Sequence, residues 1–160
     1  GWLSMHTSPA TAAAKFRLLE EGLARRTDGR KLADLELVAN AQLVLTDDVR
    51  SALDAIKPYL ALYVGGMGAQ GKNFHTDAMV ERGFGAEAAL IQELYLAGRK
   101  HEAAAAVPDE YIDETSLIGP EARISQRYAS WCDAGFTLLR LGNATLEGME
   151  AIARIAKARS

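Results

Sequence analysis

The stretch Leu35–Leu45, "LELVANAQLVL", alternates with a period of two. Leu35, Leu37, Ala39, Ala41, Leu43 and Leu45 fall on one face; Glu36, Val38, Asn40, Gln42 and Val44 fall on the other. Successive side chains of a strand point to opposite sides, so the pattern predicts a β-strand with one apolar face. The other face mixes valine with two amides, a composition suited to the inner wall of a barrel.

On the amino-terminal side, Trp2–Met5 reads as the end of a strand. Ser8-Pro9 then starts a helix, with serine as cap and proline in the first turn. Ala12, Phe16, Leu19 and Leu23 form its apolar stripe. On the carboxyl-terminal side, Thr46-Asp47-Asp48 caps a second helix, where Val49, Leu53, Ile56, Leu60 and Tyr63 keep the helical period past Pro58. Further helices are expected around Ala86–Leu96, with Leu90 and Leu94 inward, and up to Val107, before Pro108. Another follows Gly119-Pro120, with Ile124, Tyr128 and Trp131 inward and Gly135 as a left-handed cap. Phe136–Leu141, "FTLLRL", reads as a strand covered on both faces. A last helix over Thr145–Ala158 is expected to bury Leu146, Met149, Ile152 and Ile155. Strands that alternate with helices imply a parallel sheet and α/β architecture.

"YVGGMGAQGKNF", Tyr63–Phe74, tests that layout. Gly66, Gly68 and Gly71 spell G-x-G-x-x-G, and Gly66, Gly71 and Lys72 spell most of a Walker loop. Both phosphate-binding motifs need a strand that aims the loop's amides at the ligand. Here a helix leads in, and Asn73 stands where a magnesium-holding hydroxyl belongs. A glycine-rich loop after a helix is the simpler reading.

Composition narrows the class. The 160 residues carry a formal charge of −3 and are 49% hydrophobic, with no long basic block and no long apolar run. Nucleic acid and membrane are therefore not expected partners. One cysteine excludes an internal disulfide framework and suits a reducing cytoplasm. The three histidines share no metal-ligand spacing, so no metal site is expected.

Four segments in fixed order carry a resemblance: "GWLSMHTSPATAAAKFRLLEEGLARR", "LTDDVRSALDAIKPYLALYVGGMGAQGKNF", "LIQELYLAGRKHEAAAAVPDEYIDE" and "LIGPEARISQRYASWCDAGFTLLRL". Together they resemble the carboxyl-terminal half of bacterial-luciferase-like monooxygenases, in the branch that depends on the deazaflavin coenzyme F-420. Gly1-Trp2-Leu3-Ser4 departs from the family's Gly-Trp-Leu-Pro at its last position. The resemblance implies a TIM-like (β/α)8 barrel, with Gly1–Met5, Leu35–Leu45 and Phe136–Leu141 as strands six to eight. It implies a single partial domain over 1–160, with a lid insertion at about 63–118. Strands one to five would lie outside this sequence, with the residues that contact the cofactor ring and the catalytic groups. An isolated copy of these 160 residues is then expected to be inactive.

In such barrels, reactive groups follow the carboxyl ends of the strands. That singles out Ser4, Met5 and His6 after the first strand and Gly142 and Asn143 after the last. Ser4, His6, Gly142 and Asn143 are the expected cofactor contacts. His6 also reads as an ordinary polar loop residue, and Asn143 as a helix cap. Gly66, Met67, Gly68, Lys72, Asn73 and Phe74 are the expected lid, facing a small organic substrate, or else an exposed loop. The function implied is flavin- or deazaflavin-dependent oxidoreduction, with coenzyme F-420 as cofactor, FMN as alternative, and a homodimer as a possible assembly. A stand-alone α/β binding module without catalytic activity is the rival reading.

Overall fold

The structure is a computed structural model that describes residues 1–68 and 72–159. Its described residues fall into two compact units, one formed by 1–45 and 115–159 and the other by 46–114.

The first unit is an open parallel sheet with helices on one face. Its strands are β1 (Trp2–Leu3), β2 (Leu37–Leu45), β3 (Ser116–Gly119) and β4 (Leu138–Gly142). All three neighbours run parallel to β2. Val38 is in register with both Leu3 and Leu138, and Gln42 with both Ser116 and Gly142. A strand has only two edges, so β4 takes one, and β1 and β3 share the other.

The period-two reading of β2 holds from Leu37 to Val44, whereas Leu35 lies outside the strand and Leu45 is only partly buried. Leu37, Ala39, Ala41 and Leu43 are buried, while Val38, Asn40, Gln42 and Val44 are half-exposed. The buried row packs with Leu117 of β3 and Leu139 and Leu141 of β4. Beneath it lie Ile124 and Trp131 of α7 (Glu121–Asp133) and Ile152 and Ile155 of α8 (Leu146–Arg159). Each such aliphatic side chain contributes about 1.5–3 kcal/mol by leaving water. At the amino-terminal end of the sheet, Phe136 gathers Trp2, Phe16 and Trp131, with ring centroids 6.5, 5.2 and 5.4 Å away.

Several details differ from the sequence reading, the first being that β4 is not covered on both faces, since Leu138 and Arg140 are exposed. β3 was not expected, because its four residues are all buried and show no alternation. Leu146 and Met149 are exposed, and α8 buries Gly148 and Ala151 instead. There a Cβ on Gly148 would stand 3.3 Å from the Thr145 hydroxyl and in ordinary contact, 3.6 Å, with the Leu43 side chain. Asn143 does not cap α8: the Thr145 hydroxyl accepts from Gly148 N at 3.1 Å.

The second unit is helical. It holds α2 (Val49–Ala61), a π turn (Leu62–Gly66), α3 (Phe74–Glu81), α4 (Gly85–Leu96), α5 (Lys100–Ala105) and α6 (Asp109–Asp113). Asp48 caps α2, accepting from Ser51 N at 3.0 Å and Ser51 Oγ at 2.7 Å. Val64, Met79, Ile91, Ala103, Tyr111 and Ile112 are among its buried side chains. α4 buries Ala88, Ile91 and Leu94 and leaves the expected core residue Leu90 exposed.

Ion pairs tie the helical unit together. Lys57 Nζ lies 2.7 Å from Asp54 and 2.6 Å from Asp109. Burial of the ammonium pulls its pKa down, but the two carboxylates outweigh that and hold it above the ordinary lysine value. The Arg82 side chain is 3% exposed, donates to Tyr111 O at 2.6 Å and Glu114 Oε2 at 2.7 Å, and lies 3.9 Å over the Tyr111 ring.

Candidate functional site

In a parallel sheet, the carboxyl ends of the strands collect the loops that bind ligands. Ser4 sits at the end of β1 with 2% of its surface exposed. Its amide donates to Val38 O at 2.8 Å, and its carbonyl accepts from Asn40 Nδ2 at 2.7 Å. Asn40 Oδ1 in turn accepts from Arg140 Nη1 at 3.2 Å. One amide thus links β1, β2 and β4 across the face that carries no helices.

The loops beyond this link are unusual in backbone. Among the described residues, only His6 and Asn143 combine a side chain with positive φ, each at 57°. Left-handed conformation is uncommon outside glycine and collects at functional loops. One of these residues follows β1 and the other follows β4, the two positions the sequence reading named.

Gly142, the last residue of β4, lies beside Gln42. A Cβ at Gly142 would come 3.1 Å from Gln42 Oε1 and 3.3 Å from Nε2, so a larger residue would crowd the amide. Gln42 Oε1 is buried and has no hydrogen-bond partner among the described residues. Asn40, Gln42 and Arg140 were not among the residues singled out from sequence. The available signal was the pair of amides on the second face of "LELVANAQLVL".

The other named set lies in the helical unit. α2 and the π turn lead into the glycines, not a strand, and a Cβ at Gly65 would stand 2.5 Å from Tyr95 Cβ. One at Gly66 would overlap the Tyr95 ring. These two glycines let the turn lie against α4. Gly68 has φ 91°, and Gly71, the third glycine of the apparent fingerprint, lies outside the described residues.

Asn73 is buried and structurally committed. Its Nδ2 donates to Tyr63 O at 2.8 Å and Val64 O at 2.9 Å, while Oδ1 accepts from His75 N at 2.9 Å and caps α3. Met67, Lys72 and Phe74 are exposed. Tyr59, Tyr63, His75 and Phe74 form a chain of ring contacts beside them, with centroids 4.4, 4.7 and 5.7 Å apart. Burial lowers the His75 pKa, which favours neutral imidazole within this aromatic surface.

The structure therefore keeps Ser4, His6, Gly142 and Asn143 in the sheet unit, and Gly66, Met67, Gly68, Lys72, Asn73 and Phe74 in the helical one. A cleft of about 440 Å³ lined by Glu20, Lys31, Leu37 and Thr137 opens at the amino-terminal end of β2, the end away from these loops. Among the described residues, no three His, Cys, Asp or Glu side chains are placed to hold a metal, and no helix is long and apolar enough to cross a membrane.

Comparison with known proteins bears on the family and the fold. The Mycobacterium tuberculosis protein Rv3520c, which carries the name of a coenzyme F-420-dependent oxidoreductase, is 37% identical over 155 residues, 97% of this chain and 45% of its own. The coenzyme F-420-dependent tetrahydromethanopterin reductase of Methanopyrus kandleri superposes with a TM-score of 0.61 at 20% identity, over 91% of this chain and 40% of its own. The second likeness speaks for the fold, a parallel α/β sheet with flanking helices from a TIM-like barrel. The chain spans less than half the length of either protein. Residues 1–138 match the family described as luciferase-like monooxygenase, and the chain belongs to that family.

Proposed function

We propose that this chain serves a luciferase-like oxidoreductase that uses coenzyme F-420, with FMN as the alternative cofactor, on a small organic substrate. The 37% identity to a relative named for that coenzyme carries the reading. When bound, the deazaflavin supplies the hydride chemistry, and the protein orients and shields it.

The loops after β1 and β4 fit a flat polar ring. Gly142 admits the Gln42 amide against β4, and His6 and Asn143 hold left-handed turns after β1 and β4. Ser4, His6, Gly142 and Asn143 would hold the cofactor there. Met67, Lys72 and Phe74, with the ring chain of Tyr59, Tyr63 and His75, offer an organic substrate an aromatic, largely neutral surface. Asn73 acts by shaping that surface, since its amide is already spent on the π turn.

Titrating the purified protein with coenzyme F-420 and with FMN, followed by quenching of cofactor fluorescence, tests the reading. Saturable binding that is tighter for F-420 is expected; binding of neither removes the proposal. A second reading, a binding module that pairs through its open sheet, is favoured by exposed Leu3, Met5 and Leu138. Sedimentation decides it: a stable dimer with no cofactor affinity would support the module.

A further inference from the structure

Among the residues of β1, β2, β3 and β4, Arg140 alone is charged. It is exposed on the face of the sheet that carries no helices. Its Nη1 donates to Asn40 Oδ1 at 3.2 Å, and among the described residues no carboxylate pairs with it. Glu36, on the same side of the chain entering β2, stands four residues before Asn40, about 13 Å along the strand. The guanidinium is nevertheless held in place. Asn40 Nδ2 donates to Ser4 O at 2.7 Å, which turns the amide oxygen toward Arg140. A guanidinium carries five N–H groups in a rigid fork, so those on Nε and Nη2 stay open to an anion.

The fold raises the demand for that anion. The likeness to the Methanopyrus kandleri reductase is that of a barrel ringed by helices, in which the helix-free side of each strand looks inward. A charge on an inward face needs an opposite charge beside it. The surroundings of Arg140 then select what brings it. Toward the carboxyl ends of the strands, the Gln42 amide stands against Gly142 and closes that side. Toward the amino-terminal ends, Leu3, Val38 and Leu138 share one register level, with Leu3 57% and Leu138 47% exposed. A fixed cation thus borders a row of three uncovered aliphatic side chains.

We infer that Arg140 is the anion-binding residue of a site for a small organic acid, with the oxyanion on the guanidinium and the apolar body along Leu3, Val38 and Leu138. The inference names a substrate class for the proposed oxidoreductase, and rests on that reading only in taking the acid to be the substrate.

The test titrates the purified protein with three probes. Hexanoate has the charge and the chain, hexanamide the chain without the charge, and acetate the charge with almost no chain. Nuclear magnetic resonance follows the Arg140 Nε–H and the methyl groups of Leu3, Val38 and Leu138. Hexanoate should bind saturably at about millimolar concentration and move both sets of signals. Hexanamide and acetate should each bind about tenfold more weakly. Arg140 is exposed, so replacing it leaves the core packing intact, which Trp131 emission verifies. In Arg140→Met the preference for hexanoate over hexanamide should fall to within about twofold, because no cation remains to sense the charge. Arg140→Lys, which keeps the charge and loses the fork, should retain part of it. Saturation with coenzyme F-420 should leave hexanoate binding in place.

Hexanoate that binds no more tightly than hexanamide, or a preference undiminished in Arg140→Met, would overturn the site. Displacement of hexanoate by coenzyme F-420 would overturn its assignment to the substrate and give the anion to the cofactor. Failure of the unaltered protein to bind F-420 or FMN would remove the proposed function, while the hexanoate titration still decides the site at Arg140.

Discussion

The two units spend their polar side chains in opposite ways. In the helical unit, Lys57 sits between Asp54 and Asp109, Arg82 joins Glu114 to Tyr111 O, and the Asn73 amide makes three hydrogen bonds. The buried Tyr111 hydroxyl, which has no hydrogen-bond partner among the described residues, is one exception. On the open face of the sheet unit, Gln42 Oε1 is unpaired and Leu3, Met5 and Leu138 are exposed. The helical unit is held by groups that satisfy one another. The sheet unit is packed on its helical side and keeps chemical capacity on the other. Recognition belongs with the second pattern, because a group already paired has little left to give a ligand.

Both tryptophans lie in the sheet unit, so the comparison can be broken from either side by watching tryptophan emission together with amide hydrogen exchange in α2–α6. The largest expected effect is Arg82→Ala. It removes a side chain that is 3% exposed, leaves Tyr111 O without its donor, and takes the cation from the Tyr111 ring. A loss of about 2–4 kcal/mol is expected in urea unfolding, seen in the exchange of the α2–α6 amides with the tryptophan transition little moved. Equal shifts in both signals would show that the units unfold as one and would break the contrast.

Gly65→Ala comes next. The new methyl would stand 2.5 Å from Tyr95 Cβ, next to the α4 backbone, where a flexible side-chain end cannot yield. Overpacking of this kind costs about 1–3 kcal/mol. A thermal melt of this variant matching the unaltered protein would mean that the turn is not held against α4. Asn73→Ala is expected to cost about 1–2 kcal/mol, since it removes the α3 cap and both bonds to the π turn. If that substitution instead weakened substrate binding with no change in stability, the assignment of Asn73 to structure would be wrong.

The smallest effect is the pH dependence of the Lys57 cluster. The hydrogen bond from Lys57, then that from Arg50, lowers the Asp54 pKa below its ordinary 3.8. A depressed carboxylate adds stability above its ordinary value, and that stability is lost as pH falls through the lowered one. Lys57 is raised above its ordinary 10.5, so its share is present below that value and lost as pH rises through the raised one. The melting temperature of the helical unit should therefore hold between these limits and fall outside them, and Lys57→Met should flatten both limbs. Identical pH profiles for the two proteins would remove the cluster from the account.

Different parts of this molecule were legible in the sequence for different physical reasons. β2 was readable because a half-buried strand imposes alternation, and Leu37, Ala39, Ala41 and Leu43 obey it. The Asp48 cap was readable because capping is local chemistry. β3 was not, because Ser116–Gly119 is buried on both faces and carries no period. The inward face of α8 was legible at Ile152 and Ile155 but not in its first turns, where apolar size suggested Leu146 and Met149 and the helix buries Gly148 and Ala151.

The loops after β1 and β4 followed from strand direction, so Ser4, His6, Gly142 and Asn143 could be named. Gln42 could not, because its isolation depends on a register in which residue 142 lies opposite. The glycines of Tyr63–Phe74 resembled a phosphate loop only in spacing. Gly65 and Gly66 are explained by Tyr95, a residue about thirty positions away that no local pattern connects to them.

The most direct test of the account is backbone amide chemical-shift mapping of the purified protein during titration with coenzyme F-420. The account predicts that the largest changes fall at Ser4, His6, Gly142 and Asn143, at and beyond the carboxyl ends of β1 and β4. Changes concentrated instead in the π turn at Leu62–Gly66, or at the cleft around Lys31 and Thr137, would contradict it.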